Sequence, residues 1–357
     1  MESGMRIGNP RVMFLVALAM FFGGSAIGVS LPFWGKARVP LNLNGELLDF
    51  SNENGPDRRI WSPALGEKRS LYVYLPPGYD PEKPHKVLFW LHAYLQDVGW
   101  FPKNVIPMID KLIQEGLLAP MVIVMPDANL TRKKTLGFTP ATQYMDSELG
   151  QFETLIMTDI WDFIHSSFSL SENRHDHILA GASMGGGAAV RIGIRYRDRV
   201  GAAISAFGPL DLRYQDHMGR FLGNKPRGEP RTEFNRPHLP IARFAGIPIR
   251  LRQFAHPLFN LSDPDVAQQI AAQNPQDMLT DLDVKPGEID LYISYGRFDE
   301  YNFDAQGRAF AQLARDRGLY VEEAEDRWGH HTVRTAMRLL PGSLDFINRQ
   351  WGWIPTP

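Results

Sequence analysis

The sequence predicts a three-layer α/β sandwich built on a mostly parallel sheet, and three observations predict it. Continuous apolar runs at VLFWLH (87–92) and MVIVMP (121–126) have the character of parallel strands covered on both faces. Between and after such runs lie amphipathic stretches, VIPMIDKLIQEGLL (105–118), ETLIMTDIWDFIHSSF (153–168) and AQGRAFAQLARDRG (305–318), with apolar residues at helical spacing. At 178–189 the chain reads ILAGASMGGGAA, a strand that passes into a helix through small residues alone. Strands alternating with helices in this way call for a sheet with helices on both faces.

Taken in order, residues 1–34 stand apart. Arg6 and Arg11 precede the apolar run VMFLVALAMFF, and GGSA follows, which is the pattern of a secretory signal peptide. The apolar character continues through IGVSLPFW, so residues 12–34 also suit an uncleaved N-terminal membrane anchor. Residues 35–60 are polar, with Gly, Asn and Pro scattered through them, and are expected to be a linker or lead-in. The folded domain is expected over 61–357. LYVYL (71–75) alternates and stops at Pro76-Pro77-Gly78 as a strand should. HILAGA (177–182), VGAAISA (200–206) and DLYISY (290–295) continue the strands, and LYVEEA (319–324) is strand-like. Residues 211–282 break the rhythm: rich in Arg, Pro, His and Phe and without strand signals, they are expected to form a lid-like insertion over the sheet edge.

The chain has 357 residues, 44% of them hydrophobic, with a formal net charge of −2, so it has material for one large core and no electrostatic case for binding nucleic acid. It has no cysteine, which excludes disulfides, thiol catalysis and cysteine-based metal sites. His175-x-His177 and His330-His331 have no carboxylate cluster at ligand spacing, so neither a metal nor a cofactor is expected.

Gly181-Ala182-Ser183-Met184-Gly185 fits a nucleophile elbow, where a strained turn lifts a serine hydroxyl above the sheet. A serine nucleophile needs a base, a carboxylate to hold the base, and donors for the oxyanion. In this type of sheet the chain order is serine, acid, histidine. Asp299 follows a strand and a glycine and is the expected acid; Glu300, Asp304 and Asp326 are its competitors. His330 is the expected base, since a residue directly after a glycine has the freer backbone, and His331 is its rival. The oxyanion amides are expected from Met184, after the nucleophile, and from Tyr94 in the loop LHAYLQDVGW (91–100). His92, at a buried strand end, reads as a structural residue that fixes this loop.

SPALGEKRSLYVYLPPGYD, VLFWLHAY, LAGASMGG, YGRFDE and WGHHT occur in the order and spacing of the putative esterase family. The chain therefore resembles a group that includes feruloyl and acetyl-xylan esterases, enterochelin esterases, S-formylglutathione hydrolases and mycolyltransferases. The resemblance spans roughly residues 61–350. It implies an α/β-hydrolase fold with Ser183, Asp299 and His330 as triad and the Tyr94 and Met184 amides as oxyanion hole. Ala93 stands where the family usually has glycine.

The expected activity is that of a serine carboxylic ester hydrolase working through an acyl-enzyme. An acyltransferase on the same machinery is the alternative, and a non-catalytic envelope- or carbohydrate-binding protein a third reading. The expected substrate is a small-molecule or carbohydrate-linked ester, and siderophore esters suit the same machinery. Arg213, Arg220, Arg227 and Arg231 in the insertion suit an anionic or sugar-linked ester, and Phe221, Phe234 and Phe244 an aromatic pocket. The N-terminus places the protein outside the cytoplasm, periplasmic or extracellular, with membrane attachment through residues 12–34 as the variant of that expectation.

Overall fold

The structure, a computed structural model, describes residues 42–355 apart from 54, 95, 97, 131–140, 213–239, 245–246, 251–254 and 256. The expectations for residues 1–34, and for Arg213, Arg220, Arg227, Arg231, Phe221 and Phe234, lie outside the described residues.

Eight strands form the central sheet: β1 (Glu46–Phe50), β2 (Leu71–Leu75), β3 (Val87–Leu91), β4 (Val122–Pro126), β5 (His177–Ala182), β6 (Ala202–Ala206), β7 (Asp290–Gly296) and β8 (Val321–Asp326). Their order across the sheet is β1-β2-β4-β3-β5-β6-β7-β8. β2 runs antiparallel to both β1 and β4, and every other neighbouring pair is parallel. Among the described residues, the helices that pack on it include α1 (Ile106–Gln114), α2 (Trp161–Ser167), α3 (Met184–Arg195), α4 (Pro275–Asp281), α5 (Phe303–Asp316) and α6 (Val333–Gln350).

Alternation along the strands divides the core between two faces. Val87 and Phe89 of β3 join Ile164 of α2 and Ala188 and Ile192 of α3 on one face. Leu88 and Ile178 join Ile106, Ile109 and Ile113 of α1 and Phe346 and Ile347 of α6 on the other. The first face continues over β7, where Leu291 and Ile293 pack with Phe310 of α5 and Met278 of α4. Register then decides where the loops emerge. Leu91 lies beside Gly181, Ala182 beside Ala206, Ala206 beside Ser294, and Gly296 beside Asp326. The carboxyl ends of β3, β5, β6, β7 and β8 therefore share one edge, and the loops that follow them converge there.

Two boundaries differ from expectation. The lead-in at 35–60 contributes β1, an edge strand paired in register with β2 from Glu46↔Leu75 to Phe50↔Leu71. What holds it is a buried carboxylate: Asp110 of α1 accepts hydrogen bonds from the Asn44 amide (2.9 Å), the Gly45 amide (2.7 Å), the Asn44 side chain (2.9 Å) and the Tyr74 hydroxyl (2.9 Å). Asp110→Ala would leave these donors without an acceptor and is expected to cost about 3 kcal/mol in urea unfolding, with earlier proteolysis on the amino side of β1. Burial alone would raise the Asp110 carboxyl, but these bonds hold it below its ordinary value of 3.8. Its contribution is thus complete above pH 3.8 and is lost only as pH falls through the depressed folded value. Wild type and variant should therefore converge in stability in strong acid; a constant gap there would refute the role.

The insertion also differs. It contains a two-stranded hairpin, Pro240–Phe244 with Ile247–Arg250, whose strands are too short for a period to show. Its last part belongs to the core: α4 buries Met278 and Leu279 with residues of α3 and β7. Buried Asn274 ties α4 to the segment after β6 by accepting the Leu212 amide (2.8 Å) and donating to Asp211 (3.0 Å) and Asp277 (2.9 Å).

Candidate active site

Ser183 sits between β5 and α3 with φ 52° and ψ −120°, a conformation L-residues seldom adopt and one that neighbours must enforce. Its amide donates to the Ala206 carbonyl (2.9 Å) on the adjacent strand, and its carbonyl accepts from Gly187 (3.0 Å) in the first turn of α3. The bend is crowded. A Cβ on Gly185 would lie 1.9 Å from the Leu91 carbonyl oxygen, and one on Gly181 would lie 2.4 Å from the Gly185 backbone. Glycines at 181 and 185 are therefore a steric requirement, and they bring the start of α3 into contact with the end of β3. Met184 is the first residue of α3, so its amide belongs to a helix N-terminus, where backbone donors favour developing negative charge.

Asp299 follows β7 as expected. Its Oδ1 accepts from the Tyr301 amide (2.9 Å), which aims Oδ2 at a histidine. That histidine is His331, and the expectation for His330 is corrected by geometry. His331 Nδ1 lies 2.7 Å from Asp299 Oδ2, and its Nε2 lies 2.9 Å from Ser183 Oγ. All three residues are buried. In this arrangement Nδ1 donates to the carboxylate and Nε2 accepts from the serine hydroxyl. His330 turns outward, its side chain 48% exposed, with Nδ1 2.8 Å from Glu300 Oε1.

The cause is a backbone crossing. Gly329 passes directly over Gly296: a Cβ on Gly296 would lie 2.5 Å from the Gly329 carbonyl carbon. Phe298 donates its amide to the Gly329 carbonyl (2.8 Å), and Glu300 Oε2 accepts from the His331 amide (2.8 Å). With Gly329 pinned, the next side chain faces solvent and the one after it faces the serine. Glycine's freedom favours the crossing, not a side chain at 330. Two acidic neighbours and two histidine neighbours thus match one to one, Asp299 with His331 and Glu300 with His330. That doublet was the available signal for the register. The competitors for the acid have other partners: Asp304 pairs with Arg308, and Asp326 with Arg338 (2.5 Å). Three aromatic rings unmarked in the sequence hold the His331 imidazole edge-on, Phe207 at 4.7 Å, Tyr301 at 4.8 Å and Phe303 at 5.3 Å between centroids.

The loop after β3 is fixed by His92, in the structural role expected. Its Nδ1 donates to the Ala93 carbonyl (2.8 Å), and its Nε2 accepts from the Ala128 amide (3.0 Å). The Tyr144 hydroxyl donates to the His92 carbonyl (3.2 Å). Ala93 does not have a positive φ, so its methyl group carries no backbone strain. Tyr94 follows, half-buried, on the same sheet edge as Ser183. An apolar groove adjoins the site, lined by Trp90, Ala93, Trp100, Phe207, Val333 and Met337 among others.

Comparison with known proteins agrees with this fold. A ferulic acid esterase structure is similar, with TM-score 0.58, 20% identity, and coverage of 87% of this chain and 99% of that one. An S-formylglutathione hydrolase from Agrobacterium tumefaciens is similar at TM-score 0.59 and 15% identity, with 86% of this chain and 96% of that one covered. Both likenesses establish the α/β-hydrolase fold. Among curated proteins, an endo-1,4-beta-xylanase/feruloyl esterase of Xylanibacter ruminicola is 26% identical over 145 residues. The match takes in 39% of this chain and spans only 19% of that relative's length. The family model for “Putative esterase” matches residues 62–274, more than half of the chain, and the protein therefore belongs to the putative esterase family, as a serine hydrolase of α/β-hydrolase fold.

Proposed function

We propose that this esterase hydrolyses carboxylic esters through an acyl-enzyme on Ser183. One observation carries the reading: Ser183 Oγ, on a strained elbow, meets His331 Nε2, whose other nitrogen meets buried Asp299. Such a chain lets the hydroxyl lose its proton as it attacks. Oγ bonds to the acyl carbon while His331 takes the proton, and the oxyanion is held by the Met184 and Tyr94 amides. Collapse expels the alcohol, which leaves with the proton from His331. Water, deprotonated by the same nitrogen, then releases the acid and restores the serine. The apolar groove, lined by Ala182 just before the nucleophile and by Phe207 against the His331 ring, gives a hydrocarbon or aromatic acyl group a place to bind. A carbohydrate-linked ester is the substrate class we favour, and the likeness to a ferulic acid esterase and to an endo-1,4-beta-xylanase/feruloyl esterase supports it.

The experiment is labelling of the full chain by a fluorophosphonate, with p-nitrophenyl acetate hydrolysis measured in parallel. Labelling and turnover should both vanish in Ser183→Ala. Turnover that survives this substitution would place the chemistry elsewhere. We further propose export, supported by the basic-then-apolar pattern of residues 1–34. Recovery of the full-length chain in the cytosolic fraction of expressing cells would overturn it.

A further inference from the structure

His331 is held from two directions. Asp299 Oδ2 takes its ring at Nδ1 (2.7 Å), and Glu300 Oε2 accepts from its main-chain amide (2.8 Å). The two carboxylates are sequence neighbours in the turn after β7. That turn is braced from within: the Asp299 amide donates to the Gly296 carbonyl (3.1 Å), and the Tyr301 amide to Asp299 Oδ1 (2.9 Å). One braced turn therefore grips one residue by its side chain and by its main chain. Both Glu300 oxygens are engaged, since Oε1 meets His330 Nδ1 (2.8 Å).

An imidazole tied through Nδ1 alone can pivot about that bond and carry Nε2 with it. Fixing the amide as well removes the pivot, because ring and main chain are joined only through the Cα–Cβ and Cβ–Cγ bonds. Nε2 then stays 2.9 Å from Ser183 Oγ. A misplacement of about 1 Å at a reacting group costs on the order of 10²-fold in rate. The peptides on either side are held by other groups: the His330 amide donates to buried Thr335 Oγ1 (3.1 Å), and the Thr332 amide to the His330 carbonyl (2.8 Å). Glu300 closes the hold at the residue between them, with a carboxylate acceptor, one of the stronger kinds. His330 completes the arrangement. Its ring on Oε1 turns Oε2 toward the amide, and the Phe298 ring, 5.8 Å away at 27°, backs the imidazole.

We propose that Glu300 is a positioning residue of the reaction: its carboxylate, steered by His330, sets the main chain of the base so that Nε2 stays on Ser183 Oγ. This rests on the ester-hydrolase reading above and adds to it the group that fixes the geometry of proton transfer. The test is p-nitrophenyl acetate hydrolysis by full-length variants, each measured well below its unfolding midpoint. Glu300→Met, which matches the side chain in length but offers no oxygen, should lower kcat about 30-fold and leave KM within about twofold. Glu300→Gln, whose carbonyl oxygen still accepts from the amide, should stay within about threefold of wild type. Glu300→Asp keeps the carboxylate but draws it back by one methylene, and should lose about tenfold. A wild-type kcat in Glu300→Met would overturn the proposal, and so would a loss carried by KM alone. Equal losses in Glu300→Gln and Glu300→Met would make the charge, not the amide bond, the active feature and would overturn it too.

A second measurement needs no turnover: the downfield proton NMR signal of the hydrogen bond from His331 Nδ1 to Asp299, identified by its loss in His331→Ala. It should persist in Glu300→Gln and move upfield or broaden in Glu300→Met. A signal identical in wild type and Glu300→Met would show that the ring keeps its place without the amide anchor, which would overturn the proposal. Should the wild type neither label with fluorophosphonate nor hydrolyse p-nitrophenyl acetate, the hydrolase reading falls, and this signal still decides whether Glu300 sets the His331 ring.

Discussion

His331→Ala should lower kcat for p-nitrophenyl acetate by about 10^4-fold or more, to the level of Ser183→Ala, because the members of such a unit fail together. His330→Ala should cost no more than about tenfold, the scale of one lost positioning contact. The asymmetry follows from the geometry. His331 Nε2 is within 2.9 Å of Ser183 Oγ, whereas the His330 ring meets Glu300, the Phe298 ring and solvent. Removing the His330 imidazole leaves the Glu300 bond to the His331 amide in place, so the base keeps its backbone anchor. Combining Ser183→Ala with His331→Ala should add almost nothing to either alone. If His330→Ala proved the more damaging, the loop would have to shift by one residue in solution and the triad drawn here would be wrong.

The sheet, the elbow and the acid were legible because each rests on a local signal. Apolar runs marked β3 and β4, small residues marked the bend at Ser183, and strand-then-glycine marked Asp299. β1 was not legible: its residues ELLDF send Leu48 and Phe50 to one core layer and Leu47 to the other, too briefly for a period to emerge. Its place depends on Asp110, more than sixty residues away in the chain. The base was missed by one residue for the same reason. Which of two adjacent histidines turns inward is decided by the crossing of Gly329 over Gly296, a contact between a loop and a strand end that no window of sequence contains. The aromatic cage of His331 likewise draws on two separate segments, Phe207 after β6 and Tyr301 and Phe303 at the start of α5.

Arg191→Met should destabilise the fold by about 3–5 kcal/mol, the cost of breaking a buried ion pair from one side. Arg191 lies in α3, two turns beyond Ser183, and is 2% exposed. It donates to the Gln143 carbonyl (2.8 Å), the Tyr144 carbonyl (2.6 Å) and Glu153 (3.2 Å). Gln143 and Tyr144 both have positive φ, 50° and 53°, an unfavourable geometry that the guanidinium holds in place. Methionine fills much of the volume but supplies no donor, so two buried carbonyls lose a partner and Glu153 keeps only Arg195 (2.6 Å). The consequence should reach the site. Tyr144 supports the His92 carbonyl, and Thr142 donates to the carbonyl of Ala128 (3.0 Å), whose amide meets His92. Arg191 thus connects the helix that begins at the nucleophile to the loop that carries Tyr94. Urea unfolding should show the loss of stability, and kcat measured well below the unfolding midpoint should fall while fluorophosphonate labelling of Ser183 persists. Glu153→Gln, which leaves the Arg191 bonds to the two carbonyls in place and keeps one acceptor oxygen for the arginines, should cost less in both measurements. A variant of Arg191 that unfolded early yet turned over at the wild-type rate would show that the clamp serves stability alone.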